Sequence, residues 1–140
     1  DVYPDSASLP ERAVLEIFWE KFSRCNGRCV GYNILGFDLL YLLRRSMALG
    51  VKPAVLPVLA RYRTEPVTDL MMILYNWGSD KYKGLKQVVK LYGIRNECEG
   101  LDGSLVKGMS MEDIIRYQTS DVQMVIDLYH KMNGVYFKQV

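Results

Sequence analysis

The sequence predicts an α/β domain that is predominantly helical and has only a short sheet. Apolar residues recur at helical spacing in several stretches, whereas only two short segments, near Val30 and near Val67, have the composition of strands. A helical pattern follows each of these segments, which is the order of elements expected in an α/β fold. The chain has 140 residues, of which 49% are hydrophobic and 24% charged. One compact domain over residues 1–140 is therefore expected.

The first helix is predicted over residues 9 to 23. Ser8-Leu9-Pro10-Glu11 is a capping box with proline in the first turn, where its missing N–H costs nothing. Four apolar residues then repeat at helical spacing, namely Val14, Leu15, Phe18 and Phe22. A turn at Asn26-Gly27 separates this helix from residues 28 to 32, whose branched and aromatic side chains predict a buried strand.

The second helix is predicted over residues 37 to 49. Residues 33 to 36 end the strand and connect it to this helix. Its apolar stripe consists of Leu39, Leu40, Leu42, Leu43 and Met47. Arg44 and Arg45 lie late in the helix, where positive charge suits the helix dipole, and Gly50 is expected to be the C-cap.

The rest of the chain is predicted to be mostly helical. Prolines at positions 53, 57 and 66 make residues 51 to 69 irregular, ending in a strand near Val67. Further helices are predicted at residues 70 to 77, 85 to 92, 111 to 118 and 120 to 133. Residues 96 to 108 are predicted to form a loop.

Composition excludes several functional classes. The net charge of +2 is too weak a bias to indicate a polyanion-binding surface, so any binding of nucleic acid has to be local. No apolar run approaches the roughly 20 residues that a membrane-spanning helix requires. Residues 1 to 8 also lack the pattern of a secretion signal, and we expect a cytoplasmic protein.

Cysteine usage agrees with that expectation. Cys25, Cys29 and Cys98 form a sparse and odd set, which suits reduced thiols better than a disulfide framework. A structural zinc site is not expected. Cys25 and Cys29 could donate two thiolates, but a tetrahedral site needs four ligands and the remaining candidates are Cys98 and His130. His130 follows the last acidic motif and is expected to be a surface residue near the end of the last helix.

Asn33-Ile34-Leu35-Gly36-Phe37-Asp38 is the first of two acidic motifs. Asp38 lies where the change from strand to helix would raise its carboxylate to the sheet edge, and Gly36 permits a close approach of backbone or nucleotide. Phosphodiester hydrolysis with two metal ions needs hard oxygen ligands from different elements, which aspartates supply. The alternative is that the helix dipole alone favours Asp38 in the first turn of its helix.

Tyr117-Gln118-Thr119-Ser120-Asp121 is the second motif. In a helix, Tyr117 and Asp121 lie on one face, so that the phenol can orient a water molecule held by a metal ion on the carboxylate. The alternative is a tyrosine at the edge of the core and an aspartate that N-caps the last helix after Ser120.

Three further positions have both a binding and a structural interpretation. Trp77 can stack an unpaired base while Lys81 contacts a phosphate, or it can be a core tryptophan beside a solvated lysine face. Asp69 opens a helix after a strand and is expected to be a structural cap, although a place near substrate is the alternative.

The serial order of these segments resembles the DEDD exonucleases. Within this group it resembles the predicted 3'-5' exonucleases related to the proofreading domain of family B DNA polymerases, in the form with tyrosine in the third motif (DEDDy). It covers about residues 28 to 137. The segments that carry it are Gly31-Tyr32-Asn33, Phe37-Asp38, Thr68-Asp69-Leu70, Trp77-Gly78, Lys83-Gly84-Leu85-Lys86, Leu91-Tyr92-Gly93-Ile94, Asp102-Gly103-Ser104 and Tyr117 to Asp121.

The resemblance implies a ribonuclease H-like exonuclease fold and removal of nucleotides from the 3' ends of single-stranded DNA or RNA with two Mg²⁺ or Mn²⁺ ions. Asp38 and Asp121 would be metal ligands, and Tyr117 would position the attacking water. Asn33 and Phe37 would lie beside Asp38 at the substrate edge.

The first motif of such enzymes, an Asp-x-Glu on an upstream strand, does not occur in these 140 residues. We therefore expect an N-terminally truncated fold, as a fragment or a natural short form. Such a fold should either be mostly helical with a short remnant sheet, or pair with a second copy through the surface that the missing strands would cover.

Three hypotheses remain open. The chain is an exonuclease, a catalytically inactive nucleic-acid-binding module on the same fold, or a helical interaction module. The exonuclease predicts cleavage, and the inactive module predicts binding without cleavage. The interaction module predicts no salt-sensitive binding of nucleic acid.

Overall fold

The computed structural model describes residues 10–96 and 111–137, with side chains for residues 10–96 and 121–137. Its elements are α1 (Glu11–Arg24), β1 (Cys29–Gly31), a π-helical turn (Ile34–Asp38), α2 (Leu39–Leu49), β2 (Val67–Asp69), α3 (Leu70–Leu74), a 3-10 turn (Asn76–Gly78), α4 (Leu85–Leu91) and α5 (Met111–Met132). The predicted α/β class, mostly helical with a short sheet, is confirmed. Nearly all of the predicted loop at 96 to 108 lies outside the described residues.

The sheet consists of two parallel strands, β1 and β2, in the part of the chain that the structure describes. Gly31 lies opposite Asp69 in the register, so the carboxyl ends of both strands meet at one edge. The prediction that β1 is fully buried is wrong, because Val30 is 46% exposed. Alternate residues of a strand point to opposite faces, and Val30 lies on a face that no described element fully covers.

Helix α1 begins two residues later than predicted. Pro10 occupies the N-cap position and makes no side-chain capping bond, while Ser8 lies outside the described residues. The Glu11 carboxylate does not turn back to its own helix, because the Arg45 guanidinium of α2 donates to both of its oxygens at 2.5 and 2.7 Å. This ion pair lowers the pKa of Glu11, chiefly through the hydrogen bond.

Helices α1 and α2 pack through a core that contains one buried polar pair. The apolar part consists of Leu15, Trp19, Phe22 and Val51, with Leu42 and Leu43 packed against it. The Trp19 indole N–H donates to Ser46 Oγ at 2.8 Å, and Ser46 Oγ donates to the Leu42 carbonyl at 2.7 Å. The predicted place of Met47 in the apolar stripe is wrong, since Met47 is 81% exposed. Ser46 takes the inward position because it accepts from the indole, as a thioether does only weakly.

Helix α5 is continuous from Met111 to Met132, so the predicted pair of helices with a break near residue 119 is wrong. No glycine or proline occurs between these two residues, and the backbone has nothing that would interrupt the helix. Gly134, with φ at 85°, follows its end as predicted.

The chain divides into two units, Asp1–Trp77 and Gly78–Val140. The first contains both strands and helices α1 to α3, and the second contains α4 and α5, which contact each other. Buried apolar residues of the second unit are Val88, Val89, Met124, Leu128 and Met132. Within the described residues, none of the helices combines the length and the apolar character that crossing a bilayer requires.

Candidate functional site

The segment from Asn33 to Asp38 folds into a tight turn at the carboxyl end of β1. Asn33 adopts a left-handed conformation with φ at 61°, which asparagine tolerates better than most residues. The Phe37 N–H donates to the Asn33 carbonyl at 3.1 Å, and the N–H of Leu39 donates to the carbonyl of Ile34, five residues back. Single π-helical turns of this kind occur frequently at functional sites.

The carboxylate of Asp69 holds this turn in place. Asp69 is 1% exposed. Its Oδ1 accepts from the N–H of Asn33 at 2.8 Å, and its Oδ2 accepts from the N–H of Leu35 at 2.8 Å. The same Oδ1 caps α3 by accepting from the N–H groups of Met71 and Met72 at 3.1 and 3.4 Å. The predicted cap is confirmed, and it also fixes the backbone of the first acidic motif.

Two glycines are needed for this geometry. A Cβ atom at position 36 would lie 2.2 Å from Oδ1 of Asn33, and one at position 31 would lie 2.3 Å from Cγ2 of Ile34. Real Cβ atoms do not approach other atoms so closely. Gly36 was predicted to permit a close approach of backbone or nucleotide, and the group that lies against it is the Asn33 side chain.

Asp38 lies at the end of the π-helical turn, directly before α2, and its side chain makes no capping hydrogen bond. Its pKa is raised, first because neighbouring atoms partly exclude solvent and second because the negative charge of Asp69 is near. A helix dipole acting alone would lower the pKa of a carboxyl at a helix N-terminus. The helix-dipole interpretation therefore does not account for the electrostatics of Asp38. Phe37, the preceding residue, is 61% exposed.

Asp121 lies on α5 in the second unit and is half-buried. Its pKa is also raised, mainly by desolvation, and the positive charge of Lys86 on α4 acts against that rise. The alternative in which Asp121 N-caps the last helix is wrong, because α5 continues through Ser120. Tyr117 lies one turn earlier on the same continuous helix, and its side chain lies outside the described residues.

Trp77 is half-buried and has a left-handed backbone with φ at 53°, so the predicted helix over residues 70 to 77 is wrong beyond Leu74. Its ring packs on Tyr62, with ring centroids 5.4 Å apart. The indole N–H is buried and has no hydrogen-bond partner among the described residues. Leaving such a donor unpaired costs about 1–3 kcal/mol. Lys81 is exposed, and its backbone N–H donates to Asp80 at 2.9 Å.

The described carboxylates do not by themselves form a metal centre. In the part of the chain that the structure describes, no three His, Cys, Asp or Glu side chains are grouped so that they could hold an ion. Asp69 is the carboxylate whose charge acts on Asp38, and four backbone N–H groups already occupy its oxygens. Asp38 and Asp121 alone do not complete the donor set of two ions, which needs several oxygen ligands for each ion.

The structure places the predicted residues in two groups. Asn33, Phe37 and Asp38 belong to one turn at the sheet edge, whereas Tyr117 and Asp121 belong to one helix of the second unit. His130, expected at the surface near the end of the last helix, is exposed there.

Comparison with known protein families gives a match over nearly the whole chain. Residues 4–136 match the model of a family described as a predicted 3'-5' exonuclease related to the exonuclease domain of PolB. The matched region includes both acidic motifs and nearly the whole chain. No curated protein and no solved structure matches this sequence.

Proposed function

The chain belongs to the family of predicted 3'-5' exonucleases related to the exonuclease domain of PolB, and from this premise we propose that it acts on the 3' ends of single-stranded nucleic acid. Exonucleases of this kind generally use divalent metal ions. The proposed reaction is phosphodiester hydrolysis with two ions, Mg²⁺ or Mn²⁺, on a ribonuclease H-like fold. When bound, such ions activate water and stabilise the leaving oxygen.

The proposal assigns each residue a task that suits its side-chain chemistry. Asp38 and Asp121 are metal ligands, since both are carboxylates with raised pKa values that would gain from a nearby cation. Tyr117 positions the attacking water from the same helix as Asp121. Asn33 and Phe37 bind the terminal nucleotide beside Asp38.

Trp77 and Lys81 extend the proposed contacts with substrate. The half-buried ring of Trp77 is proposed to stack a base, although its N–H is buried and out of reach of a substrate, and the exposed side chain of Lys81 suits a phosphate. The observation that carries the proposal is the family match across both motifs, together with a π-helical turn whose geometry a buried aspartate fixes.

Hydrolysis requires oxygen ligands in addition to Asp38 and Asp121. Asp69 is not one of them, because its carboxylate is buried and occupied by backbone N–H groups. The Asp-x-Glu that supplies further ligands in such enzymes does not occur in the 140 residues. This deficit favours a second candidate function, a catalytically inactive module on the same fold that binds nucleic acid or a partner helix.

A gel assay of cleavage tests the first candidate. The substrates are 5'-labelled single-stranded DNA and RNA in Mn²⁺, and the proteins are the parent chain, Asp38→Asn, Asp121→Asn and the control Asp127→Asn. Asp127 lies on the same helix as Asp121 and accepts a hydrogen bond from Gln123 at 2.9 Å. The proposal predicts a ladder from the 3' end that both site variants abolish and the control keeps.

Binding of the same oligonucleotides separates the remaining outcomes. No cleavage by the parent, with salt-sensitive binding, identifies the inactive binding module. Neither cleavage nor binding would contradict both nucleic-acid functions and leave an interaction module. A ladder that is identical in Asp121→Asn would refute the assignment of that residue.

A further inference from the structure

The side chains of Phe37 and Tyr41 form a solvent-exposed aromatic pair. Their rings are nearly parallel, with an interplanar angle of 9° and centroids 6.0 Å apart. Phe37 is 61% exposed and Tyr41 is 53% exposed. Neither ring belongs to the core, which α2 contacts from its opposite side through Leu42 and Leu43. Two adjacent exposed aromatic rings on a helix leave a flat apolar surface in water, which is typical of a binding site.

Arg44 continues this surface. It is exposed and follows Tyr41 by three residues, which places it on the same helical face. Its neighbour Arg45 is engaged with Glu11 on the side of α1. Phe37, Tyr41 and Arg44 are therefore one continuous face of the π-helical turn and α2, which we name the aromatic track.

The dimensions of the aromatic track suit a nucleic acid strand. Phe37 and Arg44 are seven positions apart, which is roughly 10 Å along a helix axis at 1.5 Å per residue. At the roughly 3.4 Å per nucleotide of a fully stacked strand this length corresponds to about three nucleotides, and to fewer of an extended strand. Aromatic rings beside a positive charge are the combination with which proteins bind single strands without reading their sequence.

We propose that the aromatic track binds the unpaired bases that lie inward from the 3' end, with Tyr41 as a base-stacking residue and Arg44 as a phosphate contact. The proposal rests on the proposed function, because Phe37 is next to Asp38 and the track begins at that site. The ligand is single-stranded nucleic acid of either sugar, since every base presents a π-face and the track offers stacking rather than base-edge readout.

Equilibrium binding of a fluorescent single-stranded oligonucleotide tests the track without any need for cleavage. The proteins are the parent chain, Tyr41→Ala, Tyr41→Phe, Arg44→Ala and the control Leu56→Ala, which changes an exposed apolar residue outside α2. We expect Tyr41→Ala to weaken binding by about 5- to 150-fold, because stacking on one aromatic residue has that effect. Tyr41→Phe should keep the affinity of the parent. Arg44→Ala should lower the slope of log affinity against log salt by about 0.7.

The outcomes separate the track from the proposed function. If Tyr41→Ala and Leu56→Ala bind the strand equally well, the track is refuted, whatever the cleavage assay shows. If Tyr41→Ala weakens binding but the parent does not cleave, the track stands and the enzymatic proposal fails. If the parent does not bind single strands, or binds duplex as tightly, the track is refuted as well.

Discussion

The backbone N–H of Asn33 donates to the buried carboxylate of Asp69 at 2.8 Å, across 36 residues of sequence. Because β1 and β2 are parallel and in register at Gly31 and Asp69, the loop after β1 begins beside this carboxylate. The Leu35 N–H donates to its second oxygen, so two bonds fix the start of the turn that ends at Asp38. The position of the first acidic motif therefore depends on a residue of the next strand.

Replacement of Asp69 should separate its two tasks. Asp69→Ala leaves buried N–H groups of both the turn and α3 without acceptors, and we expect a loss of about 3–5 kcal/mol in the free energy of unfolding. Asparagine is a good N-cap, so Asp69→Asn should keep α3 capped but present an amide N–H₂ to the turn. Its expected cost is about 1–2 kcal/mol. Urea denaturation followed by circular dichroism measures both values.

The Asp69 interpretation would be contradicted by a loss below about 1 kcal/mol in Asp69→Ala. A matched comparison is Asp80→Asn, since Asp80 is exposed and accepts a hydrogen bond from the backbone of the adjacent Lys81. That variant should unfold at the same urea concentration as the parent chain.

Asp38→Asn should stabilise the protein at neutral pH. The pKa of Asp38 is higher in the fold than its ordinary value of 3.8, so the unfolded chain loses this proton first as the pH rises. Ionisation of Asp38 then lowers the free energy of unfolding above about pH 4, and the penalty is absent at lower pH. Asparagine removes the penalty. The gain stays below about 1 kcal/mol, because Asp38 is exposed and solvent screens its charge.

Thermal unfolding at pH 7 and pH 3 measures this difference. We expect a higher Tm for Asp38→Asn at pH 7 and the same Tm as the parent at pH 3. A lower Tm at pH 7 would mean that the ionised carboxylate is stabilised by the fold, opposite to the pKa shift described above.

The Cys29 thiol should react slowly with thiol reagents in the folded protein. Burial raises its pKa to about 11, with a smaller contribution from the charge of Asp69. At pH 8 only about 0.1% is then thiolate, the reactive form, against about a quarter for an ordinary cysteine. In the Cys25→Ser/Cys98→Ser variant, labelling of Cys29 by a disulfide reagent should be at least about 100-fold faster in urea than in buffer. Equal rates in the two solvents would show that Cys29 is not shielded.

Ser46→Ala should weaken the packing of α1 on α2. The substitution leaves the buried indole N–H of Trp19 without its acceptor, which costs about 1–3 kcal/mol. Trp19→Phe removes the donor, so in that background Ser46→Ala should cost at least about 1 kcal/mol less. Denaturant unfolding of the four proteins in this cycle measures the coupling energy. A coupling energy near zero would show that the hydrogen bond contributes nothing.

Much of the fold follows from local sequence patterns. Helical periodicity correctly predicted α1, α2 and α4, and the strand near Val67 was predicted from the end of a proline-rich segment. The predicted break near residue 119 does not occur, because possible N-cap residues are present there but no glycine or proline interrupts the helix. The helical propensity of the residues on both sides keeps the helix continuous there. A capping residue stabilises a helix only where the helix ends.

The residues of the candidate site could be predicted from sequence motifs, but the backbone geometry that positions them could not. Asn33 and Gly36 indicated a special backbone, yet the π-helical turn depends on bonds to Asp69 that only strand register creates. The role of Asp69 as a cap was local and was predicted, whereas its bonds to the turn are not local. The contact between Phe37 and Tyr41 could have been predicted from the sequence. Tyr41 lies four residues after Phe37 in a predicted helix, and aromatic residues at that spacing contact each other.

The most direct measurement is competition binding of linear and circular single-stranded oligonucleotides of the same sequence, with Ca²⁺ present to limit cleavage. The account predicts that the linear strand with a free 3' hydroxyl binds tightest, and that the circle and a strand with a 3' phosphate compete poorly. This holds whether the chain is an active enzyme or an inactive module. Equal competition by all three, or no binding of any of them, would contradict a site for single-stranded 3' ends.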